Sequence, residues 1–133
     1  MKVSNEEEWL HQRLAYTHDI HHILCGFSTN PSGEMGVMAV TATQIGYPPF
    51  IFTTLTAMAK SYRLKPSAYE SYNRAIAIGS NIGMNATCLA SRDWSSDFAE
   101  DITVLRHKLG ISACDPNEAA GISWNEKLFE TMT

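Results

Sequence analysis

Apolar residues recur at steps of three and four along nearly the whole chain, which is the spacing of amphipathic α-helices. The sequence lacks a sustained alternation of apolar and polar residues, and it has no Asn-Gly or Asp-Gly pair that would favour a β-hairpin. At 133 residues the chain has the length of one domain. The pattern predicts an all-α fold, a single compact domain over residues 1–133 with about five to six helices.

Capping and helix-breaking residues set the predicted helix bounds. Asn5 is suited to cap a first helix, and Gly26 and Gly46 are suited to end the first and second helices. Ser123 and Glu126 form a capping box for a short last helix. The other predicted helices cover residues 6–25, 31–45, 48–62, 66–90 and 96–109.

Residues 35–59 carry no charged side chain. A run of 25 residues is long enough to span a membrane, but Gly46 and the proline pair after it divide the run. We therefore predict that the second and third helices form a buried hairpin. The alternative is that they present an apolar surface that docks on a bilayer or binds an apolar ligand. In that alternative, Val40 and Phe52 line a groove for an isoprenoid or acyl chain.

Small residues share one face of the predicted fourth helix. They recur at steps of three and four and include Gly79 and Gly83. Because small side chains let another helix backbone approach closely, we expect both glycines to lie in a tight contact between helices.

Composition narrows the class of protein. The net charge of −4 argues against a protein that binds the nucleic-acid backbone. Three cysteines without a CxxC pair argue against a disulfide framework or a thiolate zinc site. The polar, acidic start resembles neither a signal peptide nor a transit peptide, so we expect a bacterial-type cytoplasm.

Two histidines and two carboxylates fall close together around the first helix break. His18 and His22 lie one turn apart on one helix face, Asp19 borders that face, and Glu34 lies in the first turn of the next helix. Such a set of nitrogen and oxygen ligands suits Zn²⁺, Fe²⁺, Mn²⁺ or Co²⁺. The alternative is that the His pair is coincidental, with a solvated Asp19 and a Glu34 stabilised by the helix dipole.

Two further histidines lie on the first helix. His21 falls on its apolar stripe, so we expect a buried side chain rather than a ligand. His11 is on the side of His18 but two turns away, which is too far to bind the same ion.

Residues 18–22 read His-Asp-x-x-His, and eleven residues separate His22 from Glu34. This spacing resembles the HDxxH…E signature of the ubiquinone (coenzyme Q) biosynthesis protein four family. The turn Gln44-Ile45-Gly46-Tyr47-Pro48 is similar to the family's Gln-x-Gly-x-Pro turn. Residues 105–111 resemble its closing helix.

The resemblance implies an all-helical fold and a divalent metal, generally zinc. It also implies a peripheral membrane protein that organises quinone-biosynthesis enzymes and takes part in replacing a ring carboxyl by a hydroxyl. The partners expected are a prenylated aromatic or isoprenoid lipid, those enzymes and the inner face of a bacterial membrane, with a homodimer left open. The residues that match the family's metal ligands, and that we expect to be catalytic, are His18, Asp19, His22 and Glu34.

Three functions remain open at this point, of which the last is a small soluble enzyme of another pathway that uses the same site. The first is a metal-dependent oxidative decarboxylase that acts on a polyprenylated aromatic quinone precursor, whose carboxylate and phenolate the metal would bind. The second is a non-catalytic lipid-binding scaffold in which a structural metal ties the helix hairpin together.

Overall fold

The computed structural model describes residues 2–112, and in this part of the chain it contains five α-helices, one 3₁₀ turn and no β-strand. The all-α prediction is confirmed. The predicted last helix after Ser123 lies outside the described residues. The elements are α1 (Lys2–Cys25), α2 (Pro31–Ile45), α3 (Pro48–Leu64), α4 (Pro66–Asn85), the 3₁₀ turn (Leu89–Ser91) and α5 (Ile102–Leu109).

Helix α2 has the bounds that the sequence predicts. The Asn30 side chain caps it by accepting a hydrogen bond from the Gly33 backbone N–H at 2.8 Å, and Pro31 occupies the first helical position. At the other end Gly46 adopts the left-handed conformation, with φ 61°, and ends the helix.

Helix α1 begins earlier than predicted. Asn5 lies inside the helix, so its predicted role as a cap is wrong. No proline or glycine occurs between Lys2 and Asn5, and the helix therefore continues through this segment.

Helix α4 ends at Asn85, five residues before the predicted end. The backbone beyond it forms hydrogen bonds with other elements instead of continuing the helix. Thr87 N–H donates to the Leu109 carbonyl at 2.9 Å, and Leu89 N–H donates to Gln44 Oε1 at 3.0 Å.

Helix α5 begins at Ile102 rather than at Ser96. The Asp101 side chain accepts hydrogen bonds from the N–H groups of Thr103 and Val104, which starts the helix there. Phe98 consequently lies in the preceding turns, where it is 79% exposed and not on the predicted apolar stripe.

Helix α2 is central because α4 packs along its buried side. A Cβ atom added to Gly79 would lie 2.1 Å from the Gly36 carbonyl oxygen, and one added to Gly83 would lie 2.8 Å from that of Val40. The prediction of a close contact between helices at both glycines is confirmed.

The predicted groove between α2 and α3 is not formed by Val40 and Phe52, and that prediction is wrong. Val40 is fully buried because α4 covers its side of α2, whereas Phe52 lies on the outer face of α3 and is 71% exposed. Only α2 is buried as predicted, and α3 keeps much of its apolar surface in solvent. No helix of the described residues has the length and apolar character needed to cross a membrane.

The turn between α1 and α2 is fixed from both sides. Phe27 is fully buried, and its ring lies where a side chain on Gly36 would have to be. From α5, Arg106 donates hydrogen bonds at 2.8 Å to the carbonyls of Ile23 and Leu24 at the end of α1. Phe27 thus anchors the connection on α2, and Arg106 ties the end of α1 to α5.

Candidate metal centre

Three of the four predicted ligands converge across the α1–α2 turn. His18 Nε2 lies 2.8 Å from Glu34 Oε2, His22 Nε2 lies 3.1 Å from Glu34 Oε1, and the two imidazole Nε2 atoms are 3.0 Å apart. We call His18, His22 and Glu34 the three-donor cluster. Two facing helix ends place its atoms, and the i, i+4 spacing puts both rings on one face.

A backbone contact orients the His22 ring. Its Nδ1 lies 3.2 Å from the Phe27 carbonyl oxygen, which can only accept a hydrogen bond, so Nδ1 carries a proton. In the neutral imidazole Nε2 then has a free lone pair, and this lone pair is directed to His18 and Glu34. A metal-binding histidine is commonly held by such a hydrogen bond from its other nitrogen.

The three-donor cluster fits a divalent metal ion. Ligand atoms about 2.0–2.1 Å from a tetrahedral zinc ion lie about 3.3 Å from one another. The separations of 2.8 to 3.1 Å between the donor atoms are close to that value. The His22 side chain is only 2% exposed, whereas those of His18 and Glu34 are 25% and 31% exposed, so the cluster is open on one side.

Asp19 does not join this group. It is exposed, and the cluster of potential metal-binding side chains in the described part of the chain contains the other three residues alone. On a helix Asp19 is rotated about 100° from His18 and about 60° from His22, so it lies at the edge of the face that carries the cluster. Its role as a ligand stays a prediction, as does metal binding by the three-donor cluster.

His21 is buried as predicted, with 2% of its surface exposed. Burial, together with the neighbouring His18 and His22, lowers the pKa of its imidazole to about 4. The ring therefore stays neutral at physiological pH and packs near Trp94, 6.2 Å between ring centroids.

A cavity of about 290 Å³ adjoins the open side of the cluster. We call it the inner cavity. One side of it is lined by His11 of α1 and Tyr47 before α3, whose Nδ1 and hydroxyl oxygen are 2.9 Å apart in an exposed contact. The rest of its lining consists of Leu14, Ala15, His18, Glu34, Met38 and Phe50.

Sequence reasoning did not find Tyr47 as a candidate functional residue. Its partner His11 is 36 residues away in the chain, and helix periodicity carries no information on that pairing. The available signal was its place in the turn between Gly46, which ends α2, and the proline that opens α3.

Comparison with known proteins gives consistent results. The family model described as coenzyme Q (ubiquinone) biosynthesis protein Coq4 matches residues 3–115. The mitochondrial ubiquinone biosynthesis protein COQ4 of Debaryomyces hansenii is 33% identical over 114 residues, which are 84% of this chain and 34% of that protein. The mitochondrial COQ4 homolog of Rattus norvegicus is 31% identical over 112 residues, 83% of this chain and 41% of that protein.

The fold also has a counterpart among solved structures. A Nostoc punctiforme protein assigned provisionally to ubiquinone biosynthesis superposes with a TM-score of 0.73 at 24% identity, over 79% of this chain and 51% of that one. The chain spans between a third and about two fifths of the length of the two curated relatives described above. Because the family model covers most of the chain, the chain belongs to the Coq4 family of coenzyme Q (ubiquinone) biosynthesis proteins, which confirms the resemblance drawn from its sequence.

Proposed function

We propose that this chain binds a divalent metal ion, zinc in the first place, at His18, His22 and Glu34. We further propose that it takes part in ubiquinone biosynthesis by replacing the ring carboxyl of a polyprenylated aromatic precursor with a hydroxyl. The observation that carries the proposal is the convergence of donor atoms from three side chains on two helices. A cavity lies on the open side of this cluster. A catalytic metal site keeps such an open position.

The bound metal would supply Lewis acidity towards the carboxylate and phenolate of the substrate. The chain's own residues supply position: Phe27 holds the His22 ring, and His18 and Glu34 border the inner cavity. The reaction releases the carboxyl carbon as CO₂ and adds oxygen to the ring, so it needs an oxidant such as O₂. Zinc does no redox chemistry, which keeps Fe²⁺, Mn²⁺ and Co²⁺ as alternatives unless the substrate itself reduces O₂.

The cavities suit a ring with a long apolar substituent. The inner cavity has room for a substituted benzene ring beside the cluster. A second cavity of about 610 Å³, the outer cavity, adjoins His11 and Tyr47. Its other lining residues are the apolar Leu10, Pro48 and Pro49 and the acidic Glu7 and Glu8. The isoprenoid tail of the substrate would extend into this outer cavity.

The test is the metal content of the full chain purified without added metal. We expect His18→Ala, His22→Ala and Glu34→Ala to lose most bound metal, and Asp19→Ala to lose less. His11→Ala is the matched control, since this histidine lies on the same helix outside the cluster. Circular dichroism verifies that each variant stays helical. Full metal stoichiometry in folded His18→Ala and His22→Ala variants would refute the site.

A second candidate function is peripheral docking on an anionic membrane surface, and the outer face of α3 favours it. Large apolar side chains are exposed on this face, and Lys60, Arg63 and Lys65 follow at the end of the helix. Basic residues beside an apolar face match an anionic bilayer. The exposed apolar residues are Ile51, Phe52, Leu55 and Tyr62.

Sedimentation with vesicles containing phosphatidylserine tests this candidate. We expect the double change Phe52→Asp and Leu55→Asp to abolish sedimentation with the vesicles. Phe98→Asp is the control, because Phe98 is equally exposed but lies outside α3. Unchanged sedimentation of the double variant would exclude docking through this face. The scaffold role, a homodimer and partner enzymes stay predictions. A bacterial location also stays a prediction, since the two curated relatives described above are mitochondrial proteins by name.

A further inference from the structure

Helix α1 carries large apolar side chains on its outer face. Trp9, Tyr16 and Ile23 follow one another at intervals of seven residues, so each is rotated only about 20° from the one before it. They are 62%, 83% and 52% exposed, so the described part of the chain leaves them largely in solvent. We call these three residues the α1 stripe. His18 lies about 180° from Trp9 around the helix, so the stripe faces away from the three-donor cluster.

The spaces between the stripe residues have the geometry of the holes of a coiled coil. In a coiled coil, a side chain of one helix enters a hole formed by four residues of the facing helix. One such hole lies between Trp9 and Tyr16, and the next lies between Tyr16 and Ile23. A cavity of about 250 Å³ lies at the first hole, and its lining is Trp9, Gln12, Arg13, Tyr16 and Thr17. This volume accommodates an aliphatic side chain of a facing helix.

Arg13 fixes one wall of the first hole. Its guanidinium donates hydrogen bonds to the backbone carbonyls of Ala90 and Arg92. The guanidinium carbon also lies 5.9 Å from the centroid of the Trp9 ring, within the range of a cation–π contact. The hole is therefore formed before any partner binds, which lowers the conformational entropy lost on docking.

The charges beside the stripe are acidic. The described side chains of α1 include four exposed acidic residues and no exposed Lys or Arg. They are Glu6, Glu7, Glu8 and Asp19. Such charges beside an apolar seam attract a helix that carries Lys or Arg at its flanking positions. A second copy of this chain would bring like charges together, and an anionic membrane would repel them.

We propose that the α1 stripe is a docking surface for a helix of another protein. The helix that fits has large apolar residues every seven positions, which enter the two holes. It has Lys or Arg residues beside them, which face Glu8 and Asp19. The inference goes beyond the proposed function and does not depend on metal binding, because the stripe and the three-donor cluster lie on opposite sides of α1.

Fluorescence anisotropy of labelled synthetic peptides, titrated with the full chain, tests the inference. The first probe is a helical peptide of three heptads with Leu at the a and d positions and Lys at the e and g positions. The second probe has Glu in place of each Lys. We expect the wild type to bind the Lys peptide about tenfold more tightly than the Glu peptide at low ionic strength, and salt should reduce this preference.

The double change Tyr16→Ala and Ile23→Ala should weaken binding of the Lys peptide about tenfold, because Tyr16 borders both holes. Tyr62→Ala is the matched control, since it removes an exposed tyrosine of α3 and leaves α1 unchanged. It should keep the wild-type affinity. Circular dichroism verifies that both variants stay helical.

Three results would overturn the inference and leave the proposed metal site standing. They are equal affinity of the wild type for the two peptides, binding of neither peptide, and unchanged binding by the double variant. A wild-type dimer in sedimentation velocity that the double variant lacks would assign the stripe to a second copy. Loss of vesicle sedimentation in the double variant would assign the stripe to a membrane. Either assignment would also overturn the inference.

Discussion

At the residue scale, the two cysteines of the described chain differ in their reactivity. Cys25 is fully buried at the end of α1, and burial raises the pKa of its thiol to about 12, whereas Cys88 is exposed. Because the thiolate is the reactive form, we expect iodoacetamide to modify Cys88 in the native protein and Cys25 only in denaturant. Peptide mass spectrometry locates the modification. Equal rates at both thiols in the native protein would contradict the burial of Cys25.

The residue scale also shows which parts of the site the sequence could predict. The three-donor cluster depends on one helical turn and one short connection, and both are local features that capping and spacing encode. Asp19 borders the same helix face and matches the family signature, but its side chain is exposed and lies outside the cluster. The contact of His11 with Tyr47 depends on how α3 leaves α2 in space, which no local pattern specifies.

At the scale of the elements, Arg106 connects α5 with the end of α1. Its guanidinium donates to two carbonyls that lack partners within the helix, a favourable place for a cation. We expect Arg106→Met to lower the free energy of unfolding by about 1–2 kcal/mol, since two charge-assisted hydrogen bonds are lost at a partly exposed site. Urea titration followed by circular dichroism measures the change.

Lys108→Met on the same helix is the control for Arg106→Met. Lys108 forms a surface ion pair with Glu100, and such pairs contribute less than about 1 kcal/mol. If both substitutions have the same small effect, the carbonyls of α1 do not depend on Arg106.

The packing of α4 on α2 gives a second prediction at this scale. Gly79→Leu should lower the free energy of unfolding by about 1–3 kcal/mol, because the new side chain would overlap the Gly36 carbonyl. Ala77→Leu introduces the same side chain at an exposed position of α4 and should change stability little. Equal thermal unfolding temperatures of the two variants would remove the packing argument.

The element bounds were predictable where a cap or a breaker acts alone, as in α2. They were not predictable where a helix competes with tertiary hydrogen bonds. Residues 86–90 continue the helical pattern of α4 in sequence, yet their backbone pairs with α5 and with Gln44. The start of α5 depends on the cap at Asp101. Phe98 has the spacing of the apolar stripe of α5, so the sequence pattern predicted a start before this cap.

At the scale of the whole molecule, a metal ion at the three-donor cluster would join α1 to α2. A ligand that binds only the folded state stabilises it, by about 2.7 kcal/mol at a concentration of one hundred times its Kd. We therefore expect zinc to raise the unfolding temperature of the wild type and EDTA to lower it, with no response to either in His22→Ala. Thermal circular dichroism measures this, and a wild type that unfolds at one temperature in zinc and in EDTA would contradict it.

The contact between Gly79 and the Gly36 carbonyl has a consequence for inherited variation in this chain. Gly36 lies two residues beyond Glu34 on α2, so a displacement of α2 at this contact also displaces Glu34. Every missense change of a glycine codon adds at least a Cβ atom, for which this contact has no space. The codon of Gly79, whose side chain has no chemical role of its own, is therefore expected to be among those at which mutation weakens the proposed metal binding.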